Sequence, residues 1–578
     1  MNKMVVIGII CMLFVISMPV DNSEVDFIVT GRNAVIDGNN DGKTLYVGGG
    51  GPNNYSSIQD AINDAKDEDT VFVYSGVYNE SIILDKSINL IGEHREKTII
   101  YAAQGYAINV TGSHVTINNF TITNGSWEYA SVIVYNSEGN TISNCNFYNN
   151  DCAIRIYSSY KNKILDCDMY GNLIGIQLRY SKDNEILNCN VSHNGEGMSI
   201  TYSDGNKVSQ CIFYENKWGG ISIDYSLSNT ILNNVFVDNG IGIYGEKLPQ
   251  FIHNIYNNTV NGLPLLYIKN EKNVVLKDIE AGEVIIVNCN VSKIKNIAIN
   301  NSDIGIEVAY CNNNIITDCT ISNTYEGILL FFSSHNVLSN NSISNSNESG
   351  ISLNTCDNNA IIGNRVTNTY GNAIFLWDSC YNNISSNEIN ENGMGILVFS
   401  YSDHNTVYRN NVVKNDFYGI SIQGGSFNEI THNVVCWSKY WCGISTAKSW
   451  TCGNIISKNE VLYNNWVGIE IEGVGNTICN NNISYNTQCG IYLSSFLGID
   501  CKRNVIKENN LIENGMNAYF DVKLLSLNLW FKNYWSDWHS FFPKPIHGDC
   551  IIISMPMSRI RVPWLNFDWM PSTKPYKW

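Results

Sequence analysis

The sequence predicts an all-β chain: a single-stranded right-handed parallel β-helix with coils of about 22 residues, a short N-terminal capping helix and an aromatic C-terminal cap. Three observations predict it. An apolar anchor recurs at Val132, Ile154, Ile176, Met198, Ile221 and Ile243, and again from Ile306 through Ile328, Ile351 and Ile374 to Ile491, in steps of 22 to 25 residues. Around each anchor the pattern is fixed, with apolar residues two, ten and fifteen positions later and Asn eight later, as at Asn140, Asn162, Asn184 and Asn336. The segments between are short, β-branched and alternating, broken by Asn, Gly and Ser, which reads as strands and turns rather than helix.

Such a unit cannot bury its own apolar face, but stacked copies can. Asn suits the sharp bends, because it tolerates left-handed backbone and its amide can ladder to the coils above and below. The one long gap, 63 residues from Ile243 to Ile306, is three times 21, so two further coils are expected inside it. About nineteen coils at ~4.8 Å each give one continuous rod on the order of 90 Å long.

The elements follow in order. Residues 1–20 read as a signal peptide or N-terminal anchor, since Lys3 precedes the apolar run "VVIGIICMLFVISMPV", which is short for a membrane span. Residues 21–43 form a leader segment. Residues 44–100 hold the N-terminal cap and first coils, with Ser57 as helix N-cap, Asp60 three later, and Ile58, Ala61, Ile62 and Ala65 on one face. Residues 101–516 are the repeats. The period fades after Asn514, and residues 517–578 form a cap in which Trp530, Trp535, Trp538, Phe541, Phe542, Trp564 and Trp569 are expected to seal the last coil. These features place the protein outside the cytoplasm, secreted or at the cell surface.

Charge narrows the partners. The chain carries 36 Lys and Arg against 53 Asp and Glu, with no basic block, so nucleic acid and an anionic membrane are poor partners. A membrane enters only through an N-terminal anchor. Of 18 Cys, four (Cys145, Cys167, Cys189 and Cys211) fall 22 apart in one slot of the repeat. The plain reading is a buried ladder of small side chains; the sharper one is a thiolate column for copper(I). His432 with Cys436, and His547 with Asp549 and Cys550, supply further copper-ligand types. The later set, Cys436, Cys442, Cys452, Cys479, Cys489 and Cys501, sits where the repeat carries insertions and is expected to form surface disulfides.

With the anchor and the residue two later facing inward, the residues one and three later face outward. This row presents Tyr135, Tyr157, Arg179, Asp224, Phe331, Trp377, Phe399 and Glu472, with Glu307 and Glu470 beside it. Aromatic rings stack on sugar C–H faces while amides and charges bind hydroxyls, so these residues are candidates for carbohydrate binding. Glu470 and Glu472 project to the same side about 6.8 Å apart, within reach of a two-carboxylate glycosidase geometry. Arg155 and Arg179 on neighbouring coils are suited to holding uronate carboxylates.

The run "YSSIQDAINDAKDEDTVFVYSGVYNESIILDKSINLIGE" resembles the opening of pectin-lyase-like β-helix proteins. The coils, with "NNTVNGLPLLYIKN", "AGEVIIVNCNVSKIKNIAINNSDIGIEV" and "NYWSDW", resemble the NosD-type and CASH-domain repeats found in archaeal surface proteins. That resemblance implies the same fold; as a guide to function it admits binders, lyases, hydrolases and a copper-handling accessory. The catalytic motifs of the fold's pectin methylesterases, polygalacturonases, pectate lyases and epimerases are absent from the sequence. "HSFFPKPIHGDC" replaces the acidic loop that commonly follows the NYWSDY segment, so calcium binding is not expected there. The expected function is an exported, non-catalytic protein that binds a polysaccharide, glycan or cell-envelope component. A polysaccharide lyase or glycoside hydrolase, and a NosD-like periplasmic copper-handling accessory, are the alternatives.

Overall fold

Why the chain folds as it does is plain from its corners. In the computed structural model, which describes residues 42–577 apart from 103–104, 127–129, 448–450, 496–499, 524–525 and 556–557, each bend is made by one residue at positive φ. Gly139, Lys161 and Asp183 are such residues, and each is followed by an Asn whose side chain turns inward. Asn140 N donates to Asn162 Oδ1 at 2.9 Å, and Asn162 N to Asn184 Oδ1 at 2.9 Å, so a buried amide column runs through the coils. The sequence reading gave Asn both tasks in this column; here the left-handed corner and the ladder belong to adjacent residues.

The coils stack in register. Val132 lies beside Ile154, Ile154 beside Ile176, and Ile328 beside Ile351. The result is a parallel β-solenoid of about 21 turns. The Gly that precedes so many anchors has a steric reason: a Cβ on Gly327 would lie 2.4 Å from the Gly350 carbonyl oxygen of the next coil. At the N-terminal end the helix Ile58–Asp64 covers the first coils, its Asp60 N–H capped by the Ser57 side chain and Ile58, Ala61 and Ile62 buried. The signal segment expected at 1–20, and nearly all of the leader, lie outside the described residues.

The single column is in fact two. The strand Ile241–Tyr244 ends its eight-stranded sheet. The chain then doubles back at Gly262, and Leu263–Lys269 pairs antiparallel with Thr259–Val260. Leu263–Lys269 starts a new parallel sheet with Glu283–Val287 and Ile304–Ala309. The two coils expected in the long gap exist, with Leu266 and Val284 in the anchor slot, but they open a second stack.

Outward-facing residues of that second stack, Ile285, Val287 and Ala309, pack into the core of the first and cover its end. The second core runs from Ala281 to Ile546. A terminal coil presents backbone N–H groups with no next strand. Here carboxylates accept them: Glu283 from Ile241 N at 3.2 Å, Glu307 from Ile243 N at 3.2 Å, and Asp303 from Gly220 N at 2.6 Å. Glu307, expected to face solvent, is therefore fully buried.

At the far end, Trp530 and Trp535 are buried, and Asp568 accepts from Asn533 N, Asn533 Nδ2 and Trp535 Nε1, closing the Asn column. The aromatic lid stops there. Phe541, Phe542, Trp564 and Trp569 are exposed, because the chain leaves the solenoid as a long hairpin, Lys544–Met555 with Ser558–Asp568. All 17 described cysteines are free, which corrects the expected disulfides. Cys436 lies between Val413 and Leu462 and Cys479 between Ser457 and Lys507, and Cys442, Cys489 and Cys501 are buried.

Candidate functional site

The nine residues singled out for carbohydrate binding fall on two different stacks. Tyr135, Tyr157, Arg179 and Asp224 lie on the outer face of the first. Tyr135 stacks on Tyr157 at 5.7 Å, and Arg179 lies over Tyr180 at 5.4 Å. Asp224 is drawn toward the junction, where it accepts from Thr201 Oγ1, while Ser222 Oγ donates to Glu196 at 2.6 Å. Burial, with Glu196 close by, pushes Asp224 up to about 7. Arg155 donates through Nε to Gln177 at 2.7 Å.

The reading missed a column of Tyr180, Tyr202 and Tyr225, ring centroids 5.4 and 5.1 Å apart. Its signal was present, a Tyr recurring four positions after the anchor. Stacked rings spend their faces on one another, so the column is a poorer sugar platform than an isolated ring.

Phe331, Trp377, Phe399, Glu470 and Glu472 belong to the second stack. Phe331 packs at 5.6 Å on Phe251, part of the junction. Trp377 and Phe399 sit side by side in register, half-buried. Glu470 accepts from the Cys442 thiol at 3.2 Å and Ser445 Oγ at 3.4 Å, and burial raises its carboxyl above the usual range. The strand Val467–Ile471 ends before Glu472, so the alternation that would align the two carboxylates stops between them. Glu472 is only 9% exposed, and Glu470 and Glu472 do not form an open pair.

Beyond Glu470 the same face becomes an aromatic track. Tyr418, Trp466, Tyr492 and Tyr519 pack around Cys442, Val467 and Cys489. Tyr492 and Tyr519 lie on neighbouring strands with ring centroids 6.1 Å apart. The track leads into an open groove of about 670 Å³ lined by Tyr519, His547, Asp549, Pro563, Trp564 and Leu565. Tyr519 donates its hydroxyl to Asp549 at 2.8 Å; burial and that carboxylate push the phenol up to about 12. Trp564, opposite Gly548 and so on the other face of the hairpin from His547 and Asp549, is 57% exposed. In the sequence His547 and Asp549 stand apart only as copper-ligand types; the groove exists because the hairpin register sets His547 opposite Leu565 and Asp549 opposite Pro563.

The copper-ligand types do not converge. Cys145, Cys167 and Cys211 give their thiol protons to the backbone carbonyls of Ser143, Leu165 and Ser209, and burial pushes the Cys145 and Cys189 thiols up. His432 is engaged with Thr431 Oγ1 at 2.9 Å. Cys550 is buried, on the opposite side of the strand from the groove-lining His547 and Asp549. Among the described residues no three His, Cys, Asp or Glu side chains are set to hold a metal ion.

Comparison with known proteins places these features. The family model described as "Right handed beta helix region" matches residues 106–263. Solved structures with similar coils include the periplasmic alginate epimerase AlgG, at 12% identity over 58% of this chain and 76% of that one, with a TM-score of 0.32. Pectin methylesterase PemA from Erwinia chrysanthemi is 13% identical over 38% of this chain and 89% of its own, with a TM-score of 0.30. The alginate lyase from Paenibacillus sp. str. FPU-7 is 11% identical over 58% and 99%, with a TM-score of 0.26. No curated protein matches the chain. The model described as "Periplasmic copper-binding protein (NosD)" matches residues 252–417 and 408–540, half of the sequence, and the chain belongs to the NosD family.

Proposed function

We propose that this protein is an extracytoplasmic, non-catalytic binder of a cell-envelope polysaccharide, held along the aromatic track and groove of the second stack. The observation that carries the reading is the groove itself, an open cleft lined by Tyr519, His547, Asp549, Pro563 and Leu565 beside the Tyr492–Tyr519 pair. Aromatic faces cover sugar C–H surfaces, and fixed polar groups orient hydroxyls. Asp549 and Glu470 on this face, with the formal charge of −17, disfavour polyuronates and favour a neutral glycan. The copper suggested by the family description is not supported by the donor set, since no three His, Cys, Asp or Glu side chains among the described residues converge.

Titration of neutral and uronate oligosaccharides, followed by tryptophan fluorescence, tests this. A neutral oligosaccharide is expected to bind, and Tyr519→Ala to weaken it about tenfold or more, a loss of ~1.4 kcal/mol. Tyr135→Ala on the first stack should leave the affinity unchanged. Equal affinity in Tyr519→Ala would remove the groove from the site. Release of reducing ends or unsaturated uronates by the wild type, abolished in Glu470→Gln, would replace the binder with an enzyme.

A further inference from the structure

The bend that leads into each anchor lengthens along the second stack. Between the end of the third strand and the anchor lie residues 391–395 before Ile396, 414–419 before Ile420 and 437–443 before Ile444. The longer bends carry aromatic residues, Phe417 and Tyr418 in one, Tyr440 and Trp441 in the next. A bend with extra residues cannot lie flush with its shorter neighbours, so it exposes what it carries. Tyr440 is 52% and Trp441 40% exposed.

Trp441 differs from the other exposed indole of its bend. Trp437 lies flat on Tyr463 at 4.7 Å with 8° between the planes, and Tyr463 on Tyr485 at 5.0 Å and 7°, so these rings spend their faces on one another. Trp441 meets Phe417 at 5.3 Å and Tyr418 at 4.9 Å with tilts of 53° and 55°, and neither contact lays a parallel ring over the indole. Tyr418 in turn packs with Trp466, Tyr492 and Tyr519 around Cys442, Val467 and Cys489, so Trp441 is continuous with the aromatic track whose other end is the groove. The one cation beside it, Lys439, is paired with Asp416 at 3.4 Å and lies over the Tyr440 ring at 4.7 Å. This end of the track therefore offers rings without a spare charge.

The register sets the span. From Ile444–Ala447, the strand after Trp441, it runs through Val467–Ile471, Cys489–Ser494 and Met516–Lys523 to the hairpin strand Lys544–Met555. Four steps of ~4.8 Å give about 19 Å, and a sugar laid along the axis advances by about one such step, so about four or five residues fill the track. Rings repeated from coil to coil suit a polymer of repeating rings, each contact raising the effective concentration of the next.

We infer that Tyr440 and Trp441 form the far subsite of the glycan site, so that the protein recognises a neutral glycan by its length, as a run of sugars lying along the solenoid axis from Trp441 to the groove. The inference rests on the glycan reading and adds the length and direction of the ligand. A disaccharide occupies one end of the track; only a longer chain engages both.

Calorimetric titration with cello-oligosaccharides and manno-oligosaccharides of two to six residues tests it. In at least one series the affinity is expected to rise about tenfold or more from disaccharide to pentasaccharide and then to level off. Trp441→Ala should abolish that gain and leave the disaccharide's affinity unchanged, with the circular dichroism of the wild type. Tyr519→Ala should weaken every length, and Trp437→Ala, which alters only the spent stack, should change none. The length series is read on the wild type, so the outcome does not hang on one variant's folding. An affinity flat with length, or a gain that survives Trp441→Ala, would overturn the inference while weakening by Tyr519→Ala still marks the groove as a glycan site. No binding of either series at any length would overturn the glycan reading and this inference with it.

Discussion

Between pH 5 and pH 8 the protein is expected to lose thermal stability as the pH rises, and the loss originates at the junction of the two stacks. Glu283 and Glu307 are fully buried where they receive the N–H groups of Ile241 and Ile243. Around them stand Asp303, Glu326, Glu348, Glu196 and Asp224, with Tyr244 between the stacks. Among the described residues none of these seven carboxylates pairs with Lys or Arg.

Burial, then mutual repulsion, raises Glu283 and Glu307; burial pushes Asp303 up to about 6 and Glu326 to about 8. A carboxyl whose folded pKa is raised holds its proton in the folded state after the unfolded chain has lost it. Its contribution is complete below the ordinary carboxylate range and is lost as pH climbs through the folded value. Glu326 alone would account for on the order of 4 kcal/mol across that window. Thermal melts at half-unit steps of pH read the effect directly. Glu326→Gln should flatten the profile, and Glu307→Ala should lower the melting temperature at every pH by leaving the Ile243 N–H bare. A wild-type profile level from pH 5 to pH 8 would refute the account.

That junction also shows where sequence reasoning reached its limit. The anchors were legible because every coil puts the same residue types in the same slots, and solvent-facing positions alternate with them. The break was not, because a gap of three near-multiples of the repeat looks like unbroken winding. One physical signal was available. "EVIIV" at Glu283–Val287 and "GILLFF" at Gly327–Phe332 are apolar on both faces, whereas an ordinary coil alternates, as in "GISLN" at Gly350–Asn354. A strand apolar on both faces is buried on both, and Ile285 and Leu329 are indeed fully buried. The groove at Tyr519 and Trp564 had no comparable signal. It depends on how a hairpin 12 and 11 residues long folds back on the last coil, which no local pattern specifies.

The same slot logic explains how a chain of marginal coils becomes a stiff scaffold for that groove. Apolar anchors supply burial but carry no preference for one register over a slightly shifted one. The Asn columns do, because an amide displaced from its rung abandons several buried partners together. Each stack is then a chain of coupled units whose weakest rung sets its integrity.

Asn359→Ala is accordingly expected to cost roughly 3 kcal/mol or more, the penalty of leaving two or more buried groups unpaired plus a small cavity. Asn359 Oδ1 accepts from Asn336 N at 2.9 Å and Asn336 Nδ2 at 3.1 Å. Its Nδ2 donates to Ser333 O at 2.9 Å and to Asn382 Oδ1 at 3.2 Å. Alanine abandons all of these; Asn359→Asp keeps the acceptors but forfeits the donor and buries a charge, and should be worse. The end of the column in the first stack supplies the control. There His253 replaces Asn, its Nδ1 accepting from Asn229 N at 3.2 Å, and burial holds the ring neutral with a pKa of about 4. A terminal rung has no amide above it to satisfy, so His253→Asn should be close to neutral at pH 7. Amide hydrogen exchange distinguishes the two, since Asn359→Ala should strip protection from the coils around Asn336 and Asn382 while distant coils keep theirs. Uniform loss along both stacks, or none at all, would show that the columns do not set the register.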